Sequence, residues 1–500
     1  MNTKYIKTLS LLAGLGLMAT GCMDLEREDY TEISPDSFFK TETDLKLAVD
    51  ALHYDFNTGD WNGVYSADYN DYMVISDMTT DVMWCNWGWQ SDEFYFHQWG
   101  TTTGSVQANF WNCFNHYNYL SKARNTIRRI ESSPVADNVK ARYLGEAHAM
   151  RGWMALYLYD MFGPVPVATD ELLDNPENFV YIPRLTDEEY DKMMEDDMLE
   201  AIRLLPDMPS ERGRMAKGPA RMILLKYYMI RGQFEKAERI ARDLYAMEGN
   251  YTLQSDYQHI FSKAGIGNNE IILQIPCNLG KSGTVNYWTA ETLPTDMPWT
   301  EKSTGWGGYV MAWDFYDTFD PADKRLGSVC TSYVNTSGKT ITREDMKYGA
   351  VFVKYGKDPD MQDSKSSIDV VIYRYSDVLL SLAELIARNT GVTNEAVELV
   401  NRVRARAGLP GLDATATGST QAFLDAVLLE RGHEFFMEGL RRQDLIRHGK
   451  YIEYANARIN KINQTEGRGY FNVDDSHNRL PIPASFIDES KSAIKQNPGY

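Results

Sequence analysis

Trp84, Trp87 and Trp89 fall within six residues, interleaved with Asn86, Gly88 and Gln90 and followed by Asp92 and Glu93. A second group gathers Tyr287, Trp288, Trp299, Trp306, Tyr309 and Trp313, with Asn286, Asp296, Gly305, Gly307 and Gly308 among them. A sugar ring has an apolar face of C–H groups and a fringe of hydroxyls. Flat aromatics stack on the face while amides and carboxylates hydrogen-bond the fringe, so these residue types in alternation suit an oligosaccharide. Glycine-containing alternation of this kind reads as loop, and two such loops could face one ligand. The residues expected to line it are Trp84, Asn86, Trp87, Trp89, Trp288, Trp299, Trp306 and Tyr309. The alternative, that aromatics in irregular segments anchor their own loops, stays open at this point. Trp99, Trp111 and Trp153 sit beside or within apolar helical patterns and are expected in the core.

Carboxylates offer a different chemistry. Glu430, Glu434 and Glu438 follow one another at one-turn intervals, a spacing that in principle presents acid/base pairs for hydrolysis. Arg402 and Arg406 on the preceding helix, with Arg441 and Arg442 just beyond, are natural partners instead, and the architectural reading is preferred. Arg151, set within an apolar helix face, likewise requires a carboxylate partner. No catalytic residue is expected. His433–Glu434 starts like a zinc-protease motif, but Met437 stands where the second His belongs. Gly280–Lys281–Ser282 ends like a phosphate loop, but Ile275 stands where its first glycine belongs. The eight histidines show no metal-ligand spacing, no cofactor is expected, and calcium is supported by no motif.

These residues need a scaffold, and the sequence supplies helices. Residues 141–162 are apolar nearly all round and stop at Gly163–Pro164. Lys217–Ile230 and 234–247, joined at Arg231–Gly232–Gln233, predict a helical hairpin, and 376–388 with 394–407 predict another. Paired helices of this kind build tetratricopeptide-type arrays. The acidic run 187–197 reads as a solvated helix face. Between the hairpins, residues 250–370 are rich in Gly, Thr, Ser, Asn and aromatics, with strand-like pieces only at 270–275 and 350–355. The expected fold is mostly α: a tetratricopeptide-like scaffold over about 33–250 and 371–450, carrying a loop-rich ligand-binding region over about 250–370 with a few short strands.

The chain has 500 residues, 43% hydrophobic and 24% charged, ample for a large core. Its start reads as a lipoprotein signal: Lys4 and Lys7, an apolar stretch from Leu9 to Met18, small residues Ala19, Thr20 and Gly21, then Cys22 as the lipidation site, so residues 1–21 are expected to be cleaved. Loss of Lys4 and Lys7 takes the formal charge from −19 to −21, a balance that repels phosphate backbones, so no nucleic-acid partner is expected. Cys85, Cys113, Cys277 and Cys330 then remain and are expected as buried free thiols, a disulfide being possible but not demanded.

Several blocks, in order and spacing, resemble the SusD/RagB family of Bacteroidetes nutrient-binding lipoproteins: ISPDSFFKTETDLKLAVDALHY (33–54), EAHAMRGWMALYLYDMFGPVPV (146–167), IYRYSDVLLSLAEL (372–385), NEAVELVNRVRARAGL (394–409), ERGHEFFMEGLRRQDLIRHGK (430–450), LPIP (480–483) and QNPGY (496–500). The resemblance implies one domain over 22–500, lipid-anchored at the outer membrane and exposed on the cell surface. It also implies an oligosaccharide ligand delivered to a SusC-like TonB-dependent transporter, with no enzymatic activity. Peptide binding on the same architecture, a surface glycosidase using Asp92, Glu93 or Asp296, and a scaffold that binds only protein are the competing readings.

Overall fold

Amphipathic helices that cannot bury their apolar faces alone pack in series. The computed structural model describes residues 38–59, 63–66, 72–88, 91–100, 110–175, 177–280 and 284–500. The helices that build it are α1 (Glu42–His53), α2 (Tyr117–Glu131), α3 (Asp137–Phe162), α4 (Asp187–Leu204), α5 (Lys217–Ile230), α6 (Phe234–Tyr245), α7 (Tyr375–Asn389), α8 (Asn394–Arg406), α9 (Thr420–Phe435), α10 (Arg441–Arg447) and α11 (Tyr451–Glu466). From α2 to α8 each packs on the next. Because α6 packs directly on α7, the array resumes where it was interrupted, and residues 246–374 form an excursion mounted on it.

Local chemistry fixes the helix ends. Thr41 with Asp44 and Thr186 with Glu189 form capping boxes at the starts of α1 and α4, satisfying amides that have no intrahelical partner. Helix α3 is buried around most of its surface, as its continuous apolarity requires. Its approach to α4 depends on Gly152, where a Cβ would lie 2.1 Å from the Met198 sulfur. On the same interface Arg151 finds its carboxylate, Asp197, at 3.1 Å. The acidic face of α4 is therefore not wholly solvated: Asp197 is buried, and Asp191 accepts from Arg231 at 2.7 Å and from the Tyr227 hydroxyl at 2.6 Å. Carboxylates turned inward by arginines on neighbouring helices do not show in the pattern of their own helix.

The strands are short, and all lie in or beside the excursion. Antiparallel β1 (Met83–Cys85), β3 (Tyr309–Ala312), β7 (Gly349–Phe352) and β4 (Val329–Cys330) form one sheet in the order β1-β3-β7-β4. Strands β2 (Ile271–Ile275) and β8 (Val370–Arg374) pair separately, as do β5 (Tyr333–Val334) and β6 (Thr340–Ile341). The register Trp84↔Val310 and Cys85↔Tyr309 brings the first tryptophan group beside the second.

One large core runs through the helices and under the sheet. Trp153 and Trp99 belong to it as expected. Trp111 does not: it is 38% exposed and stacks on Phe486 at 5.5 Å, because its short helix lies at the surface. Cys85, Cys113 and Cys277 are buried free thiols, and Cys330 is free and half-buried. Among the described residues no helix is long and apolar enough to cross a membrane. Cys22 and the signal segment lie outside the described residues.

Candidate ligand-binding site

Strand alternation splits the first tryptophan group. Met83 and Cys85 point into the main core, so Trp84 points the other way. There it stacks on Tyr348 at 4.6 Å and 15° and meets the edges of Tyr95 and Phe96, in a small aromatic cluster apart from the main core. Trp84 is thus half-buried, packed in a cluster apart from the Trp87–Trp306 loops. Trp89 lies outside the described residues.

Trp87, past the strand, leads to the second group. The Asn86 amide N–H donates to the Gly308 carbonyl at 2.8 Å and the Asn86 side chain to the Gly307 carbonyl at 3.1 Å. The Trp87 indole N–H donates to the Trp306 carbonyl at 3.3 Å. Gly308 makes this approach possible, since a Cβ there would lie 2.6 Å from the Trp87 ring. The two loops lock together through main-chain carbonyls, leaving Asn86 exposed and Trp87 and Trp306 half-buried.

Trp306 is rigidly mounted. Its amide donates to the Ala290 carbonyl at 2.7 Å, and Gly307 and Gly308 donate to Leu293 and Glu291 at 2.8 Å, folding the loop onto the short helix Trp288–Thr292. Gly305 is pressed against the Leu293 carbonyl, where a Cβ would approach to 2.2 Å. The Trp306 ring stacks on Tyr287 at 5.6 Å and 24°. Beside them Thr304 donates its hydroxyl to Asp363 at 2.7 Å. Burial and then the Asp363 charge push the Tyr287 hydroxyl above its ordinary pKa, so it remains a donor. Trp299 is half-buried, with the exposed Lys357 ammonium 5.2 Å from its ring centre. Trp288 and Tyr309, at 1% and 0% exposure, are core residues beneath this surface and are corrected as ligand contacts. Their place in a loop-rich sequence concealed that a short helix and a strand bury them.

Tyr287, Thr304 and Asp363 complete the surface. Tyr287 stood in the second aromatic group, but Thr304 and Asp363 lie in polar loops with no distinguishing local pattern.

The carboxylates hold structure instead. Asp296 accepts from Tyr333 at 2.8 Å and Asn335 at 2.9 Å, and these bonds, that from Asn335 first, hold it below its ordinary pKa. Asp92 accepts from the Tyr470 hydroxyl at 2.6 Å. Glu93 sits beside Asp92, and burial followed by that charge raises its pKa. Glu430, Glu434 and Glu438 lie in a buried ionic hub. Arg325 meets Glu430 at 2.7 Å and Glu434 at 3.0 Å; Arg374 meets Glu438 and Glu270 at 2.8 Å and also Glu434; Arg406 closes on Glu434. Burial alone would raise the Glu434 pKa, but Arg406, Arg374 and Arg325 hold it well below the usual range. Of the expected partners only Arg406 takes part: Arg402 pairs with Glu248, Arg441 with Asp81 and Arg442 with Asp160. Among the described residues no cluster of His, Cys, Asp and Glu is placed to hold a metal ion.

A helical-hairpin array thus carries an interlocked aromatic surface on its excursion. Comparison with known proteins supplies the family. A family described as "SusD family" matches residues 327–500, and one described as "Starch-binding associating with outer membrane" matches 29–228. SusD-like protein P2 of Formosa agariphila is 23% identical over 97% of this chain and 98% of its own length. The starch-binding protein SusD of Bacteroides thetaiotaomicron is 32% identical over 26% of this chain and 22% of its own. A SusD homolog of B. thetaiotaomicron has a similar fold, with a TM-score of 0.76 at 23% identity, over 94% of this chain and 99% of that one. Surface glycan-binding protein A of the same organism, solved with laminarihexaose, gives 0.72 at 22%, over 91% and 98%. The chain belongs to the SusD/RagB family.

Proposed function

We propose that this protein is a non-enzymatic, cell-surface glycan-binding lipoprotein that captures oligosaccharides and delivers them to a SusC-like TonB-dependent transporter. The observation that carries the reading is the union of two loops far apart in sequence into one surface, with the stacked Trp306–Tyr287 pair, Trp87 and Asn86 side by side. Aromatic faces next to amide and hydroxyl groups meet both halves of a sugar ring. The bound laminarihexaose of a relative with the same fold supports a neutral glucan as the first ligand to try. The Cys22 pattern supports the lipid anchor, and the family's description supports its place at the outer membrane. The engagement of Asp92 and Asp296 with neighbouring hydroxyl and amide groups, and of the Glu434 hub with arginines, supports a binding role over hydrolysis.

Calorimetric titration of the soluble chain, begun after Cys22, with laminarihexaose, maltohexaose and a short-peptide pool tests this reading, with product analysis of each mixture. Saturable binding of a sugar without cleavage is expected. Binding of peptides alone, or turnover, contradicts it.

A further inference from the structure

Three neighbouring clefts with shared lining residues together form a trough. Its first part, about 350 Å³, lies between residues 208–214 and β2. The second, about 440 Å³, lies between the end of α1, Arg212–Gly213–Arg214 and the end of β2. The third, about 450 Å³, lies between Tyr54 and the surface formed by Trp111 and the start of α2. Neighbouring parts share walls: Arg212, Gly213, Arg214 and Gln274 line the first two, and Tyr54 and Asn57 the last two. Each part falls in the ~300–1,000 Å³ range of small-molecule sites. Neither Trp87 nor Trp306 lines any of them.

Two buried polar groups at the inner end have no hydrogen-bond partner among the described residues. Gln274, 5% exposed and lining both inner parts, leaves its Oε1 unpaired, and Tyr251, 2% exposed on the first, leaves its hydroxyl unpaired. Buried polar groups are ordinarily satisfied, so an unpaired carbonyl oxygen on the wall of a cleft calls for a donor from whatever enters it. At the outer end Tyr54 is 60% exposed and Trp111 38%, a pair of aromatic platforms. Asn250, Asn269 and Asn112 supply amides along the length.

Charge narrows the ligand. The cations of the trough each have a carboxylate partner: Arg214 meets Asp50 at 2.7 Å and Lys122 meets Asp55 at 3.0 Å, both within the lining, and Arg212 meets Asp369, outside it, at 3.2 Å. With no unmatched basic group among these, the trough does not select an anion. We infer that the trough is a second binding site, separate from the Trp87–Trp306 surface, that holds an extended stretch of a neutral glycan between the Tyr54–Trp111 platforms and the Gln274 carbonyl. The inference rests on the glycan reading above and adds a separate place for the chain of sugars.

The test is hydrogen–deuterium exchange of the mature protein with laminarihexaose, maltohexaose, cellohexaose and mannohexaose, each at saturation, and with a short-peptide pool. Slower exchange is expected at 250–275 and 111–122 as well as at 84–88 and 300–308. In Trp306→Ala the protection at the trough should persist. In a Tyr54→Ala/Trp111→Ala variant, which alters two exposed side chains, the trough protection should be lost and the loop protection kept; Gln274→Leu should weaken the trough alone. Protection confined to 84–88 and 300–308 overturns the trough and leaves the first reading standing. Protection nowhere overturns both. Protection at the trough that vanishes in Trp306→Ala, or that only peptides produce, overturns its separateness or its ligand class.

Discussion

Trp87 donates its indole N–H to the carbonyl of Trp306, 3.3 Å away, and this bond ties a loop beside β1 to one before β3. The contact is to a main-chain carbonyl, so it fixes the Trp306 loop without engaging the Trp306 ring. That ring lies on Tyr287 and is half-buried.

The contact needs Gly308 to have no side chain. In Gly308→Ala the new methyl would fall 2.6 Å from the Trp87 ring and displace it. Overpacking of this kind costs about 1–3 kcal/mol. Thermal unfolding should register a modest loss, and sugar titration of the still-folded variant a larger one.

Trp84 and Trp306 should part company under substitution. Trp84→Ala removes the stack on Tyr348 and the edges of Tyr95 and Phe96, a loss of about 2–4 kcal/mol seen in denaturant unfolding. Trp306→Ala removes only the stack on Tyr287, so it should cost less in unfolding and abolish sugar binding at the loop surface while leaving binding at the trough.

In the ionic hub, Arg374 is fully buried and shared by Glu270, Glu434 and Glu438. Arg374→Ala removes the cation shared by three carboxylates, leaving Glu434 to Arg325 and Arg406, Glu270 to Arg406 and Glu438 to Lys354, and breaking such a buried network costs more than about 3 kcal/mol. Loss of soluble expression is expected. The exposed Lys192–Asp196 pair on α4 is the control, and Lys192→Ala should not alter the melting temperature measurably.

Asp77 is fully buried, and burial pushes its carboxyl up to about 7 although the amides of Gly439 and Arg441 donate to it. A raised folded-state pKa means the native chain binds the proton more tightly than the unfolded one. The contribution is full below the unfolded value near 4 and is lost as pH rises through 7. Asp77→Asn, which cannot ionise, should therefore gain on wild type as pH climbs from 4 to 8, by up to about 4 kcal/mol. Urea unfolding at several pH values reads the difference, and a constant offset would contradict it.

The helical frame was legible because its signal is periodic: α5 with α6, and α7 with α8, lie within two residues of the pattern in the sequence. The closure of the array across the excursion was not, since the packing of α6 on α7 depends on contacts that no local window contains. The aromatic groups marked the right region, and their meeting follows from the register of β1 on β3. Which rings would be buried was hidden, because Trp288 and Tyr309 are decided by a short helix and a short strand whose periodicity is too brief to read. The arginines of the hub show the same limit: Arg325 and Arg374 come from the excursion and β8, not from the neighbouring helix that spacing alone brought forward.

The central claim is that sugar is held on the Trp87–Trp306 surface, and the most direct measurement is calorimetric titration of wild type, Trp306→Ala and Trp84→Phe with the oligosaccharide that wild type binds. Loss of at least about tenfold in affinity at the loop surface, roughly 1.4 kcal/mol, is predicted for Trp306→Ala at unchanged fold, with Trp84→Phe close to wild type. Undiminished binding by Trp306→Ala would contradict the account.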